Sequence, residues 1–282
     1  MARCELREEA GASRARHRRG KTIALVSGKG GVGKTNLALN LGICLARRDC
    51  STILLDADVG LANADILLNA SPLADLSDLL DHSGSVEELL TGGPHGLRVV
   101  CGVSGVGRRG EPLRLGPRDC RRAVQRLARH CEVLLIDCGA GVSAEVMTFA
   151  LAADMLMLVT TPEPTALADA YATLKLLCLS GFDARAGVVV NMVRSAAEGQ
   201  SAARRLVSVA ERFLGLHVEY SGHVPVDRHV AQAVRQRVPV TVRYRRCLAS
   251  TCIDRISRRL LPPAAGPVMS HGIWARVASL FL

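Results

Sequence analysis

The sequence predicts an α/β chain, a doubly wound and mostly parallel sheet with helices on both faces. Three observations predict it. Short aliphatic runs alternate with longer stretches of helical periodicity from residue 21 to residue 260, the pattern of strand–helix crossovers. Hydrophobic residues make up 49% of the chain and aromatics only 3%, so the core must be built from Ala, Val, Leu and Ile, as in strands covered on both faces. A glycine-rich octapeptide, residues 28–35, stands between the first aliphatic run and the first helical pattern.

The expected strands are the runs at 23–26, 52–55, 97–101, 133–136, 155–159, 188–190 and 218–220. Helical patterns fall between them at 35–47, 118–130, 165–179 and 202–214. A last helix at 247–260 runs into Leu261, Pro262, Pro263 and then Pro267, and closely spaced prolines stop a helix and mark a linker. The chain thus divides into a basic tail at 1–20, one large domain at 21–261, a linker at 262–271 and a short apolar segment at 272–282. The tail carries Arg14, Arg16, Arg18 and Arg19 with no apolar period, a composition expected to stay disordered.

With 282 residues the chain is long enough for one sizeable core. Its net charge of +10 has two readings, an anionic partner or an arginine-rich solvated surface. The ten cysteines are scattered, several of them inside apolar runs, and form no disulfide framework. The first residues are too polar for a secretory signal, and no apolar run reaches the ~18–20 residues that span a bilayer. The expected location is the cytoplasm or one face of a membrane.

Gly28-Lys29-Gly30-Gly31-Val32-Gly33-Lys34-Thr35 fits the phosphate-loop pattern in its required strand–loop–helix context. Glycines let successive backbone N–H groups converge on phosphate oxygens, and the helix that follows adds its positive end. Lys34 is expected at the β- and γ-phosphates, and the Thr35 hydroxyl on Mg²⁺. The run at 133–136 ends in Asp137, followed by a turn with Gly139 and Gly141. This is a Walker B and switch II arrangement in which Asp137 holds Mg²⁺ and Gly141 rotates its N–H toward the γ-phosphate. The run at 52–55 ends in Asp56 and Asp58, and ligands of such sheets sit at the carboxyl ends of strands. Capping of a helix is the other reading of Asp58.

Lys29 singles the loop out. Lys-Gly-Gly-x-Gly-Lys-Thr resembles the deviant Walker A motif of the MinD/ParA ATPases, and the resemblance extends over residues 21–260. It implies that ATP holds two chains face to face, with Lys29 reaching the γ-phosphate of the partner. A cation supplied in trans stabilises charge there as an arginine finger does. It also implies that Asp58 orients the attacking water, that Asp56 lies near the metal, and that Glu163 lies near the ribose and the dimer seam.

No Asp follows Asn191 at the spacing with which GTP-binding relatives read guanine, so ATP is the expected nucleotide. The resemblance places Asn191 on the adenine amine and closes the pocket with the turn holding Pro225 and Asp227; a simple turn residue is the other reading of Asn191.

Three stretches, 56–65, 160–171 and 190–195, resemble the flagellar number regulators FlhG/FleN (YlxH). Members of that branch dock on the flagellar GTPase FlhF through an N-terminal segment of Asp-Gln-Ala-x-x-Leu type, which residues 1–20 do not match. FlhF is therefore an open partner. Drawn as a helix, 272–282 puts Ile273, Trp274, Val277, Leu280 and Phe281 on one face. Such a face suits an anionic membrane surface, as in the C-terminal targeting helices of MinD and FlhG relatives; packing on the domain is the other reading. The expected function is an ATP-hydrolysing dimerisation switch for flagellar number or placement at the cytoplasmic membrane. A MinD-type division-site selector and a ParA-type DNA-partitioning ATPase are the alternatives. An iron–sulfur carrier would need a Cys-x-x-Cys, and the chain has none.

Overall fold

The computed structural model describes residues 20–58, 62–72, 74–80, 85–102 and 116–261. Nearly all of the basic tail, the linker at 262–271 and the apolar segment at 272–282 lie outside the described residues.

One sheet of eight strands organises the chain. The strands are β1 (Lys21–Ser27), β2 (Thr52–Ala57), β3 (Thr91–Gly92), β4 (Arg98–Val100), β5 (Val133–Ala140), β6 (Met155–Thr160), β7 (Arg185–Val193) and β8 (Val218–Pro225). Their spatial order is β3-β4-β2-β5-β1-β6-β7-β8. Every neighbouring pair is parallel except β3 with β4.

The helices are α1 (Lys34–Ala46), α2 (Ala64–Leu68), α3 (Leu76–Leu80), α4 (Val86–Leu89), α5 (Pro117–Ala128), α6 (Ala144–Leu151), α7 (Pro164–Leu179), α8 (Ala196–Leu214), α9 (Arg228–Arg235), α10 (Val240–Arg243) and α11 (Leu248–Leu260). Successive strand residues point to opposite faces, and the two cores follow from that. Ala24, Val26, Leu134 and Ile136 pack under α3 to α8. Ile23, Leu25, Val133 and Leu135 pack under α1, α10 and α11. All eight of these side chains are fully buried, each larger one contributing about 1.5–3 kcal/mol. This is why the strands read as unbroken aliphatic runs rather than as alternating patterns.

The doubly wound expectation holds, and all seven expected strands are present. β3 is additional; two residues are too short to leave a periodic signal. α8 begins at Ala196 rather than at residue 202. Its cap is Ser195, whose hydroxyl accepts from Glu198 N, and its first turn is largely exposed, so no apolar period announces it.

The sheet positions the candidate site through β1, β2 and β5. α1 leaves the carboxyl end of β1 on one face, while the chain leaving β5 crosses to β6 on the far side of β1. Such a reversal opens a crevice beyond the strand ends. Register places Asp56 of β2 directly beside Asp137 of β5, and Ser27 of β1 beside Ala140.

Candidate functional site

The loop 28–33 leaves β1 and feeds straight into α1. Gly31 (φ 80°) and Gly33 (φ 84°) are left-handed, a conformation that L side chains rarely adopt. Gly28 has a different reason to be glycine. A side chain there would run into the backbone carbonyl of Asp169 on α7, so the loop is pressed against that helix. α1 has no side-chain cap and no acidic residue in its first turn. Its first N–H groups are therefore left for an anion.

The two lysines of the loop differ in every respect. Lys34 is 6% exposed and its ammonium lies 2.6 Å from Asp137 Oδ1. Burial works against the ammonium, but the Asp137 charge overrides it and raises the lysine above its ordinary value. Lys29 is 46% exposed and points out of the same loop, 3.1 Å from Glu163 Oε2 at the N-cap of α7. An exposed pair of that kind holds by about 1 kcal/mol at most, so Lys29 can readily exchange this partner for another.

Three carboxylates gather beyond the strand ends. Asp137 is completely buried; burial pushes it up, with Lys34 pulling the other way. The Thr35 hydroxyl, like Lys34, works against that rise. Asp56 is pushed up to about 7, first by burial and then by the Asp137 charge, against three backbone donors. Those donors are Asp58 N at 3.2 Å, Asn63 N at 3.0 Å and Ala64 N at 3.0 Å. Asp56 thus fastens both ends of the segment that follows β2, the one carrying Asp58. Asp58 in turn lies against Gly139, where a side chain would come within 3.2 Å of its Oδ1. The Gly141 N–H donates to Ser27 O at 2.8 Å, so turning it toward a phosphate requires breaking that bond.

These residues fit a magnesium–phosphate group. Asp137 Oδ2 is buried with no hydrogen-bond partner, as are the hydroxyls of Ser27 and Thr161. Buried polar atoms rarely stay unpaired unless a ligand or water completes them. Around Gly31 there is open space on the side a Cβ would occupy. A metal ion here would be held by Thr35 and Asp137, and Lys34 would meet phosphate oxygens.

Asn191, at the end of β7, lies close to the loop rather than in open solvent. Its Nδ2 donates to Val32 O at 2.7 Å, and its Oδ1 accepts from Met192 N at 2.9 Å. Met192 is held left-handed (φ 57°). The turn carrying Pro225 is tied to the same strand end by Val226 N to Val193 O at 2.9 Å. Asp227 is engaged structurally. It caps α9 and its Oδ2 accepts from Ala249 N at 3.2 Å. Asn191, Val32 and the Pro225 turn are thus brought together, while the Asp227 carboxylate is already occupied. Two features escaped sequence reasoning. One is the fastening of Asp56 to Asn63 and Ala64; the other is Gly102, where a Cβ would sit 2.9 Å from Asp56 O. The signal for the first was an Asp preceding a short helix by a few residues.

No described helix is long and apolar enough to cross a membrane. The described cysteines are free, and Cys44, Cys50, Cys101, Cys120, Cys131 and Cys138 are buried.

Comparison with known proteins gives a concordant picture. The ParA family model, described as NUBPL iron-transfer P-loop NTPase, matches residues 18–261. The antiactivator FleN of Pseudomonas aeruginosa is 35% identical over 243 residues, covering 85% of this chain and 86% of FleN. The flagellum site-determining protein YlxH of Helicobacter pylori is 30% identical over 246 residues, covering 86% of this chain and 82% of YlxH. Among solved structures, the septum site-determining protein MinD complexed with Mg-ADP from Pyrococcus horikoshii superposes with a TM-score of 0.71 at 22% identity, covering 86% of this chain and 96% of that one.

Proposed function

The chain belongs to the ParA family of P-loop ATPases, and from that premise we propose that it is an ATP-gated dimerisation switch regulating flagellar number or placement at the inner face of the cell membrane. The observation that carries the reading is the division of labour within one loop. Lys34 is buried against Asp137 and Lys29 is exposed at the loop's outer surface, so one lysine serves its own nucleotide and the other is free for a second chain.

In this reading the backbone of Gly28, Gly30, Gly31, Val32 and Gly33 cradles the phosphates, with Lys34 against the β- and γ-phosphates. Mg²⁺, held by Thr35 and Asp137 with Asp56 beside them, neutralises phosphate oxygens when bound. Asp58 orients the attacking water, and Lys29 stabilises the charge developing on the partner's γ-phosphate. Glu163, which holds Lys29 within one chain, lies at the seam and near the ribose. Asn191, Pro225 and the Asp227 turn border adenine. The cis contact of Lys29 and the bond from Gly141 to Ser27 are both exchanged for nucleotide contacts in the dimer.

Flagellar regulation is favoured because FleN and YlxH are both similar to this chain over more than four-fifths of its length. Segment 272–282 supplies the membrane contact, weak for one chain and strong for two by effective concentration. Iron transfer is not favoured, since the chain holds no Cys-x-x-Cys and most of the described thiols are buried. The test is co-sedimentation with anionic liposomes and with DNA, in ATP and in ADP. ATP-dependent lipid binding that is lost on truncation after Pro267 supports the reading. Salt-sensitive DNA binding that survives the truncation supports the ParA-type partitioning alternative instead.

A further inference from the structure

Away from the phosphate loop, two helix starts meet at a cluster of which the ATPase reading uses only the turn at Asp227 and neither His229 nor Cys247. Asp227 caps α9 and Cys247 caps α11. His229, in the first turn of α9, places Nδ1 2.7 Å from Asp227 Oδ1. One ligand atom from each of Asp227, His229 and Cys247 lies within 4.8 Å of the others. The His229 ring is held from outside by Tyr244, at 4.7 Å between centroids.

Cys247 is a poor choice for a cap alone. Its sulfur receives Ser250 N at 3.5 Å, where a serine or aspartate oxygen would bind the helix end more tightly. What sulfur adds is a soft ligand. We propose that Asp227, His229 and Cys247 form a site for a single zinc-class transition-metal ion that ties the start of α9 to the start of α11.

The ligand chemistry selects the ion. Thiolate, imidazole and carboxylate together are a zinc donor set, and a hard cation such as Mg²⁺ would avoid the sulfur. Two anionic ligands and a neutral ring cancel a dication, which matters because Arg228, Arg245 and Arg246 stand nearby in the chain. Tetrahedral ligands sit about 3.3–3.7 Å apart for the usual metal–ligand lengths, so the three atoms need only small side-chain shifts. On binding, the Cys247 thiol gives its proton to solvent and His229 binds as the neutral ring. The positive ends of α9 and α11 favour the anionic ligands once formed. Asp227 and His229 are partly accessible, which leaves room for water as the fourth ligand. The site holds one ion in one chain.

The test is a Co²⁺ titration of the full chain after chelator treatment. One equivalent per chain should bind, with a thiolate-to-cobalt charge-transfer band and tetrahedral d–d bands, and Zn²⁺ but not excess Mg²⁺ should displace it. Cys247→Ser should lose the charge-transfer band and bind Zn²⁺ more than about 100-fold less tightly; Cys252→Ser should keep both. The unsubstituted chain should show a Zn²⁺-dependent rise in melting temperature; His229→Gln, which keeps the thiol, should lower the affinity and abolish that rise. Circular dichroism in chelator establishes that each variant is folded. Absence of the band in the unsubstituted chain, or its survival in Cys247→Ser, would overturn the proposal.

Discussion

Lys34 Nζ and Asp137 Oδ1 lie 2.6 Å apart in a site where the lysine is 6% exposed and the aspartate not at all. The phosphate loop and the central strand β5 are therefore locked together by a contact between residues far apart in the chain.

Removing one partner of a buried pair leaves the other charge stranded. Asp137→Ala should lower the stability of the nucleotide-free protein by about 3 kcal/mol, the low end for a broken buried pair because the site opens to a cleft. Urea denaturation without nucleotide measures it. A loss under about 0.5 kcal/mol, typical of surface substitutions, would mean the pair is solvent-screened and holds nothing.

The glycines of the loop should separate folding from binding. Gly28→Ala drives a methyl group into the Asp169 carbonyl and should cost about 2 kcal/mol or more. Gly30→Ala meets nothing nearer than Ala140 Cβ at 4.0 Å and should leave stability within about 0.5 kcal/mol of the parent. The added methyl instead intrudes on the backbone cradle proposed for the phosphates. Calorimetry should therefore show ATP binding weakened at least about tenfold, or 1.4 kcal/mol. Equal effects of the two substitutions on folding would contradict the placement of the loop.

Asp227 predicts a pH dependence. Burial pushes its carboxyl up, but the N–H groups of His229 and Ala249 and the His229 ring outweigh burial and hold it at about 2. The unfolded chain then binds the proton more readily than the folded one. The stabilisation is complete above pH about 4 and is lost as pH falls toward about 2. Denaturation in chelator across that window should show the slope, and Asp227→Asn should flatten it. An unchanged slope would remove Asp227 as its source.

The sheet and the phosphate loop were legible in the sequence for a physical reason. Strands such as β5, covered on both faces, cannot alternate, and an octapeptide that wraps a phosphate has few alternatives at its glycines. β3 was not legible, being two residues long. Lys29 was recognised by its motif, but its contact with Glu163 joins residues 134 apart and no local pattern encodes it. Asn191 was read for a contact with adenine; its amide donates to Val32 O, a partner 159 residues away that no local pattern encodes. Asp227, His229 and Cys247 meet only because the chain leaving β8 and the start of α11 come to the same place. Local chemistry is written locally; convergence of distant elements is not.

The central claim is that Lys29 acts on a second chain, and its most direct test is gel filtration of Lys29→Ala with ATP beside an ATP-binding measurement. The account predicts ATP affinity within about threefold of the parent, under 1 kcal/mol, with the protein remaining monomeric where the parent dimerises. An ATP-dependent dimer of Lys29→Ala at the parent's level would contradict it.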